Sequence, residues 1–443
     1  MVRLRAGASH SDITPPTGTP LEGYIERRGA SEGVHDRLFA KAIVLEDSDG
    51  TKVAVVSCDL IGVGRWIVDH AREAIRRRTG INSGNVMITA THTHSGPRGV
   101  VDFFTGEDVF SEGFFDSKLS ETVVEGIVEA VADADKILQD ARIAIGTQNV
   151  VGLCSNRRSP NGPFDPELAV LEVDSSDGRK LIGCAFNYAC HPTVLGPTNL
   201  QFSADFPGYA SDTVEQFLRR KLGKDKREVL FLNGASGNIS TRFTRREASF
   251  EEAERIGRSF GMGIIGAMQS IKKTSPEIVI STTSEMIKLP QRRLPPLDFV
   301  RTDLKRSEEM LKKLRTSGAS EGQIRVVESM TEGGKALLAA YDYAKKFVDR
   351  EFEVEVQVFK LGEIATLCAV PAELFVEFGL QIKSQVERLT PLIVGYANGY
   401  VGYVLTEEAY REGGYEALST FLEQDAGTRI VDKVERLVER LSS

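Results

Sequence analysis

Short stretches of this chain alternate apolar and polar positions with a period of two, and longer ones repeat apolar positions every three to four residues. Residues 38–46 and 52–60 are two such short runs, separated by Asp47-Ser48-Asp49-Gly50, whose glycine can take positive φ, so they predict a β-hairpin. Residues 168–173 and 180–189 repeat that logic around Ser175-Ser176-Asp177-Gly178. Val86, Ile88 and Ala90 alternate with Met87 and Thr89 and predict a further strand, and others are expected at 142–148, 229–232, 351–360, 364–370 and 392–397. Helices are expected at 65–78, where Ile67, Ala71 and Ile75 form one stripe, at 116–138, 208–222 and 250–271, from after Pro371-Ala372-Glu373 to about Leu389, and at 431–441. A long helical stretch at 298–347 is expected to break at Ser317-Gly318 and at Gly333-Gly334. Residues 11–33, rich in Pro, Gly and Thr, read as an irregular lead-in. No repeat, low-complexity tract or long linker interrupts the pattern. The fold expected is α/β, with mixed β-sheets flanked by helices in a single domain over residues 1–443. The lysine- and glutamate-rich segment 297–349 is expected to be a helical hairpin insertion on the surface, with no chemistry of its own.

Composition narrows the partners. A net charge of -8 and a pI near 5.5 leave no basic face to neutralise phosphates, which argues against nucleic acid. Hydrophobic residues at 41% and charged residues at 27% are values of an ordinary globular protein. No apolar run approaches the roughly 18 residues a membrane span needs. The N-terminus has basic residues without an apolar core behind them, so neither a transmembrane segment nor a signal peptide is expected. Five scattered cysteines without a Cys-x-x-Cys pair read as reduced, buried thiols. These features together give a cytoplasmic expectation.

The chemistry gathers after the strands. The chain has six histidines, and two of them, His92 and His94, follow the strand at 86–90 directly. Residues two apart on a strand share a face, which predicts the two rings roughly 6–7 Å apart on one side. One ring could then bind a metal while its neighbour handles a proton. His191 precedes Pro192 and should project from another strand end. Glu373 follows a third strand, where it could be a ligand or a favourable charge in the first turn of a helix. Two histidines and a carboxylate with one open position match the ligand count of a catalytic zinc. The competing reading of His191 is a hydrogen-bonded core histidine.

Six stretches resemble, in order, the neutral ceramidase family, the neutral/alkaline non-lysosomal ceramidases. They are Thr91-His-Thr-His-Ser-Gly-Pro97, Asn156-Arg157 with Ser159-Pro160, Asn187-Tyr-Ala-Cys-His-Pro192, Gly237-Asn-Ile-Ser240, Pro371-Ala-Glu373, and Asn398-Gly-Tyr-Val-Gly-Tyr-Val404 with the segment to Thr420. The resemblance implies the fold of that family's N-terminal catalytic domain and Zn2+ held by His92, His191, Glu373 and Tyr403. It further implies His94 as the proton-transfer residue, Arg157 and Tyr415 facing the carbonyl oxygen and oxyanion, and Ser240 as the active-site serine. Arg158, Asn238 and Tyr410, from the same stretches, are expected to touch substrate. Two departures stand out: Thr241-Arg242 follow Ser240 where the family has Pro-Asn, and the doubled Arg157-Arg158 leaves open which arginine is the oxyanion donor. The family's secreted members carry an immunoglobulin-like C-terminal domain, for which 443 residues are not expected to leave room.

The implied activity is zinc-dependent hydrolysis of an amide, with an N-acyl lipid of the ceramide type as the first substrate and a small polar amide, lactone or keto-sugar as the alternative. An amidohydrolase-type TIM barrel also begins with His-x-His, but it needs two more downstream histidines and only His191 follows His94. A phosphate cradle at residues 234–240 lacks the Gly-Lys-[Ser/Thr] ending. A binding protein without turnover would have no use for His94, an arginine and Tyr415 around its metal.

Overall fold

The computed structural model describes residues 4–102, 115–159, 161–222, 227–271, 273–275, 278–319, 321–345, 351–386 and 390–442. Pro160, the last residues of the expected hairpin (346–349) and the expected end of the helix after Pro371 (387–389) lie outside them.

Eight strands of the larger sheet are, in chain order, β1 (Arg5–Asp12), β2 (Phe39–Glu46), β3 (Lys52–Cys58), β4 (Val86–Ala90), β5 (Gln139–Asn149), β6 (Glu167–Ser175), β7 (Leu181–Tyr188) and β8 (Glu228–Asn233). They form one sheet in the order β8-β7-β6-β5-β1-β2-β3-β4, with Lys273–Ser275 added against β5. A smaller sheet has the order β9 (Ile280–Pro290), β10 (Glu351–Leu361), β11 (Ala365–Ala369), β12 (Thr390–Val394). The expected hairpins form: β2 pairs β3 from Glu46↔Lys52 onward, and β6 pairs β7.

The two sheets share a core, and helices cover their other faces. Ile43, Leu45, Val53 and Val55 meet Phe359, Leu367 and Leu392 between the sheets. The alternate residues Ala42, Val44, Ala54 and Val56 lie under α1 (Arg65–Thr79) and α2 (Ser117–Lys136). Burial on both faces is why β2 and β3 read as nearly continuous apolar runs. Helices α3 (Phe206–Leu222) and α4 (Phe250–Gln269) pack Val214, Phe260 and Ile264 on Phe186 and Phe231.

Next along the chain come α5 (Leu297–Thr316), α6 (Glu321–Lys345), α7 (Val376–Gln385), α8 (Glu407–Glu412), α9 (Tyr415–Ser419) and α10 (Ala426–Ser442). Ile382 of α7 and Ile430, Val434 and Leu437 of α10 cover Val354, Val356 and Val358 of the small sheet. Among the described residues no helix is long and apolar enough to cross a membrane. All five cysteines are free and buried, as expected of thiols that serve as small apolar side chains.

Strand direction decides where chemistry can gather. Within these two sheets adjacent strands run antiparallel except β3–β4, β7–β8 and β11–β12, which are parallel. Parallel strands end together, and in open α/β sheets ligands bind outside such carboxyl ends. The three pairs are also stitched to one another. Asn233 Nδ2 donates to Thr91 O at 3.1 Å, and Gly395 N donates to Asn233 O at 2.8 Å. Asn398 pairs with Ile88 through both its backbone N–H (2.8 Å) and its side-chain Oδ1 (3.0 Å).

The expected helical hairpin is present as α5 and α6, broken at Ser317-Gly318 as the sequence suggests. It does not break at Gly333-Gly334. The reason is contact: a Cβ on Gly333 would sit 2.9 Å from Tyr415 Cα and 2.9 Å from Leu418 Cβ, so glycine there lets α6 press against α9. The hairpin is therefore not idle surface. Ser329 Oγ of α6 accepts the backbone N–H of Tyr415 at 2.9 Å, so α6 seats a residue of the site.

Candidate metal and catalytic site

Each parallel pair delivers part of one cluster. His92 and His94 follow β4, His191 follows β7, and Glu373 and Tyr403 follow β11 and β12. His94 Nε2 lies 3.2 Å from His92 Nε2, and Glu373 Oε2 lies 3.0 Å from His191 Nε2 and 3.3 Å from His92 Nε2. The ligand atoms of the three histidines all fall within 4.8 Å of one another. All four side chains are buried.

The rings do not meet the way strand alternation predicts. β4 ends at Ala90, and His92 takes a left-handed φ of 68°, which swings its ring toward that of His94. Ring centroids are 4.8 Å apart, closer than two same-face residues on a strand. A non-glycine residue held in this region costs on the order of 1–2 kcal/mol, a strain that clusters at functional sites. Glu373 and Tyr403 meet by register instead: Glu373–Leu374 and Tyr403–Val404 pair in parallel with Glu373↔Tyr403, so the two side chains leave one face side by side.

The hydrogen bonds fix what these groups can hold. His92 Nδ1 faces Ile61 O at 2.6 Å, His94 Nδ1 faces Gly23 O at 2.9 Å, and His191 Nδ1 faces Ser236 O at 2.7 Å. A carbonyl oxygen only accepts, so each Nδ1 carries the proton and each Nε2 presents a lone pair. Three lone pairs and a carboxylate then face one another at hydrogen-bond distance with no proton between them. Acceptors so placed repel unless a cation lies among them, and imidazoles oriented through backbone carbonyls are the usual support of a metal site. Burial pushes His191 down to about 4, with Arg157 adding to the effect, and burial likewise holds His94 well below the usual histidine value. Neutral imidazoles and an ionised carboxylate are the forms that bind a divalent ion. The residues fit such an ion.

Arg157 borders the cluster. Its Nη2 donates to Tyr403 Oη at 3.0 Å and to Gly237 O at 2.8 Å, and its Nε donates to Glu416 Oε1 at 2.8 Å. The guanidinium lies 5.4 Å from the Tyr403 ring and 5.9 Å from that of Tyr415. Burial, then the Glu373 charge, push the Tyr415 phenol up to about 12, so it is a proton-bearing donor at neutral pH. Tyr403 stacks parallel to His191, with 6.4 Å between centroids. Ser240 bridges to His191 through the backbone, but among the described residues its hydroxyl meets only Arg242 N, at 3.3 Å.

Three expected substrate contacts are used elsewhere. Arg158 Nη1 donates to Glu416 Oε2 at 2.9 Å, and its Nη2 reaches Glu412 Oε2 at 3.0 Å and Gly413 O at 2.9 Å, clasping α8 to α9. Asn238 accepts Val376 N at 2.9 Å and donates to Glu377 Oε2 at 2.8 Å, so its oxygen caps the first turn of α7 and its nitrogen braces a carboxylate there. Tyr410 donates its hydroxyl to Leu422 O. Of the two arginines, Arg157 is the one facing the cluster.

Sequence patterning alone passes over residues that shape the site. Tyr400 donates its hydroxyl to Glu373 Oε1, and Tyr396 stacks on His92 at 4.1 Å while sharing a 2.8 Å hydrogen bond with Ser236. Three tyrosines spaced by glycines after a strand are the signal that could have found them. Gly23 is a further such residue. It has φ +105°, its carbonyl holds His94, and a Cβ there would fall 2.6 Å from His94 Nδ1. Gly23→Ala is therefore expected to displace His94 and lower kcat about 100-fold, the scale of a 1 Å misplacement, while metal content stays at the wild-type level. Gly18→Ala, also at positive φ (+97°) but with nothing within 4 Å, is the control for backbone strain. Equal kinetics for the two variants would remove Gly23 from the site.

Comparison with known proteins gives one consistent result. Residues 4–245 match the neutral/alkaline non-lysosomal ceramidase, N-terminal family. A neutral ceramidase of Pseudomonas aeruginosa is 25% identical, with 94% of this chain and 69% of that protein covered. One from Drosophila melanogaster is 22% identical over 99% of this chain and 74% of its own length. Among solved structures, a ceramidase complexed with C2 superposes with a TM-score of 0.76 at 21% identity, covering 100% of this chain and 76% of that one. The neutral ceramidase from Pseudomonas aeruginosa gives 0.74 at 23% identity, covering 99% and 75%. At these identities the structural likeness establishes the fold.

Proposed function

The chain belongs to the neutral/alkaline non-lysosomal ceramidase family, and from that premise we propose that it is a zinc-dependent hydrolase of N-acyl amides, with ceramide-type lipids as the first substrate class. The observation that carries the reading is the convergence of three Nε2 lone pairs and Glu373 beside an arginine and a protonated tyrosine. His92, His191, Glu373 and the Tyr403 phenol would hold the ion. Zinc bound there supplies Lewis acidity toward water and toward a carbonyl oxygen.

The remaining steps fall to side chains. His94 touches His92 but not Glu373, and its Nε2 lone pair is kept free of a proton by burial. It is the group that takes the proton of the attacking water and returns it to the leaving nitrogen, without which an amine departs poorly. The Arg157 guanidinium and the Tyr415 hydroxyl are the donors for the oxygen that gains charge as the carbonyl carbon becomes tetrahedral. Glu416 holds the guanidinium in place through its 2.8 Å bond to Nε.

The test is direct. Metal-replete protein is incubated with a short-chain ceramide and a panel of N-acyl ethanolamines, and free fatty acid is quantified with and without a chelator. Release that stops with the chelator and returns with Zn2+ supports the reading. No release from any N-acyl amide by protein carrying stoichiometric zinc overturns it.

A further inference from the structure

Arg27 is 8% exposed, and the described residues leave two of its three guanidinium nitrogens unused. Nη1 donates to Glu22 O at 2.6 Å, while Nε and Nη2 are buried without a hydrogen-bond partner. Among the described residues no carboxylate lies within ion-pair distance of it. Glu22, next along the turn, is engaged with Gly23 N at 3.2 Å and Arg98 Nε at 3.6 Å. Burying unpaired charged donors is costly, so such a group is normally matched.

The two idle nitrogens are not an arbitrary pair. Nε–H and the adjacent Nη2–H are parallel and form the edge of the fork that receives a carboxylate or phosphate by two bonds at once. This protein uses that edge in this way elsewhere: Arg255 grips Glu252 through Nε at 2.8 Å and Nη2 at 2.7 Å, and Arg76 grips Glu73 at 3.0 and 2.9 Å.

The location ties Arg27 to the site. Its guanidinium lies over the Tyr24 ring, 4.9 Å from its centre, and that ring also neighbours His94, with 5.0 Å between centroids. Tyr24 is itself pinned by its hydroxyl to Leu195 O at 2.6 Å, and Gly23 holds His94. One turn, residues 22–27, thus carries both the support of His94 and a buried, unpaired anion-gripping edge one ring further out.

We propose that the Nε/Nη2 edge of Arg27 binds an anionic oxygen group, carboxylate or phosphate, on the half of the substrate beyond His94. The inference rests on the hydrolase reading above: within the N-acyl amides it sets those with an acidic amine half ahead of the neutral amino alcohols of the ceramide type. Burial, which disfavours the Arg27 charge in the free protein, favours a partner that restores it.

Three substrates with one acyl chain separate the possibilities: N-dodecanoyl glycine, N-dodecanoyl phosphoethanolamine and the neutral N-dodecanoyl ethanolamine. Zinc-replete wild type is expected to favour at least one anionic substrate over the neutral one by roughly tenfold or more in kcat/KM. Whichever anionic arm responds identifies carboxylate or phosphate. Arg27→Gln should bring that ratio near one, Arg27→Lys should fall between because it keeps the charge without the fork, and Arg28→Gln should keep the wild-type ratio. A ratio equal in wild type and both Arg27 variants means the edge holds bridging water only, and overturns the proposal. Calorimetric binding of N-dodecanoyl glycine and N-dodecanoyl phosphoethanolamine to the same proteins decides the matter even if no substrate is turned over. Tenfold weaker binding of the preferred ligand by the Arg27 variants supports the anion site independently of hydrolysis, and unchanged binding ends it.

Discussion

His191→Ala is expected to leave the protein folded, without stoichiometric zinc, and with hydrolysis reduced by at least about 1,000-fold, which corresponds to roughly 4 kcal/mol of lost transition-state stabilisation. His191 is the hub of the cluster. Its Nε2 lies 3.0 Å from Glu373 Oε2, and its backbone N–H donates to Ile239 O at 3.0 Å, which brings residues 236–240 beside the ligands. The variant removes one donor and leaves Glu373 buried with His92 and Tyr400 as partners. Metal analysis alone could be misled by a collapsed site, so thermal unfolding with and without chelator completes the test. A ligand that binds only the folded state adds RT ln(1 + [L]/Kd) to stability, about 2.7 kcal/mol at one hundred times Kd. Wild type should lose that increment in the chelator, and the variant should have none to lose. A His191→Ala protein with full zinc and a chelator-sensitive melting point would show that the ion sits elsewhere.

The individual ligands can be read from the sequence because each follows an apolar run that stops at a turn. His92, His191 and Glu373 all lie after strands that form as their patterns predict. Their meeting cannot be read in the same way. It depends on β3–β4, β7–β8 and β11–β12 being parallel and ending together, and strand direction leaves no trace in local periodicity. The same limit explains the misplaced roles. Asn238 lies in a glycine-flanked loop that looks ready for a ligand, yet its amide is spent on the N-terminus of α7, 138 residues away in sequence. Gly333 reads as a helix breaker because its local propensity is poor, but contact with Tyr415 outweighs propensity. His92 shows the opposite error. Period-two reasoning places it beside His94 for the wrong cause, since a left-handed backbone angle and not strand alternation closes the gap.

Arg157→Lys is expected to lower kcat about 100- to 1,000-fold, the usual consequence of removing one oxyanion donor, with zinc content unchanged and KM within a few-fold of wild type. Lysine keeps the charge but cannot donate to Tyr403, Gly237 and Glu416 at once as the guanidinium does. Arg158→Lys is the matched comparison, because both arginines share Glu416 and differ in where their other donors go. Arg158 spends its donors on Glu412, Gly413 and Ala409, so its replacement should loosen the joint between α8 and α9 and lower the melting temperature more than it lowers kcat. The shared carboxylate makes a third variant informative. Glu416→Gln weakens the hold on both arginines without removing either, and should give a kcat loss smaller than Arg157→Lys together with part of the Arg158→Lys destabilisation. If Arg158→Lys carries the larger loss of kcat while Arg157→Lys is benign, the oxyanion donor has been assigned to the wrong arginine.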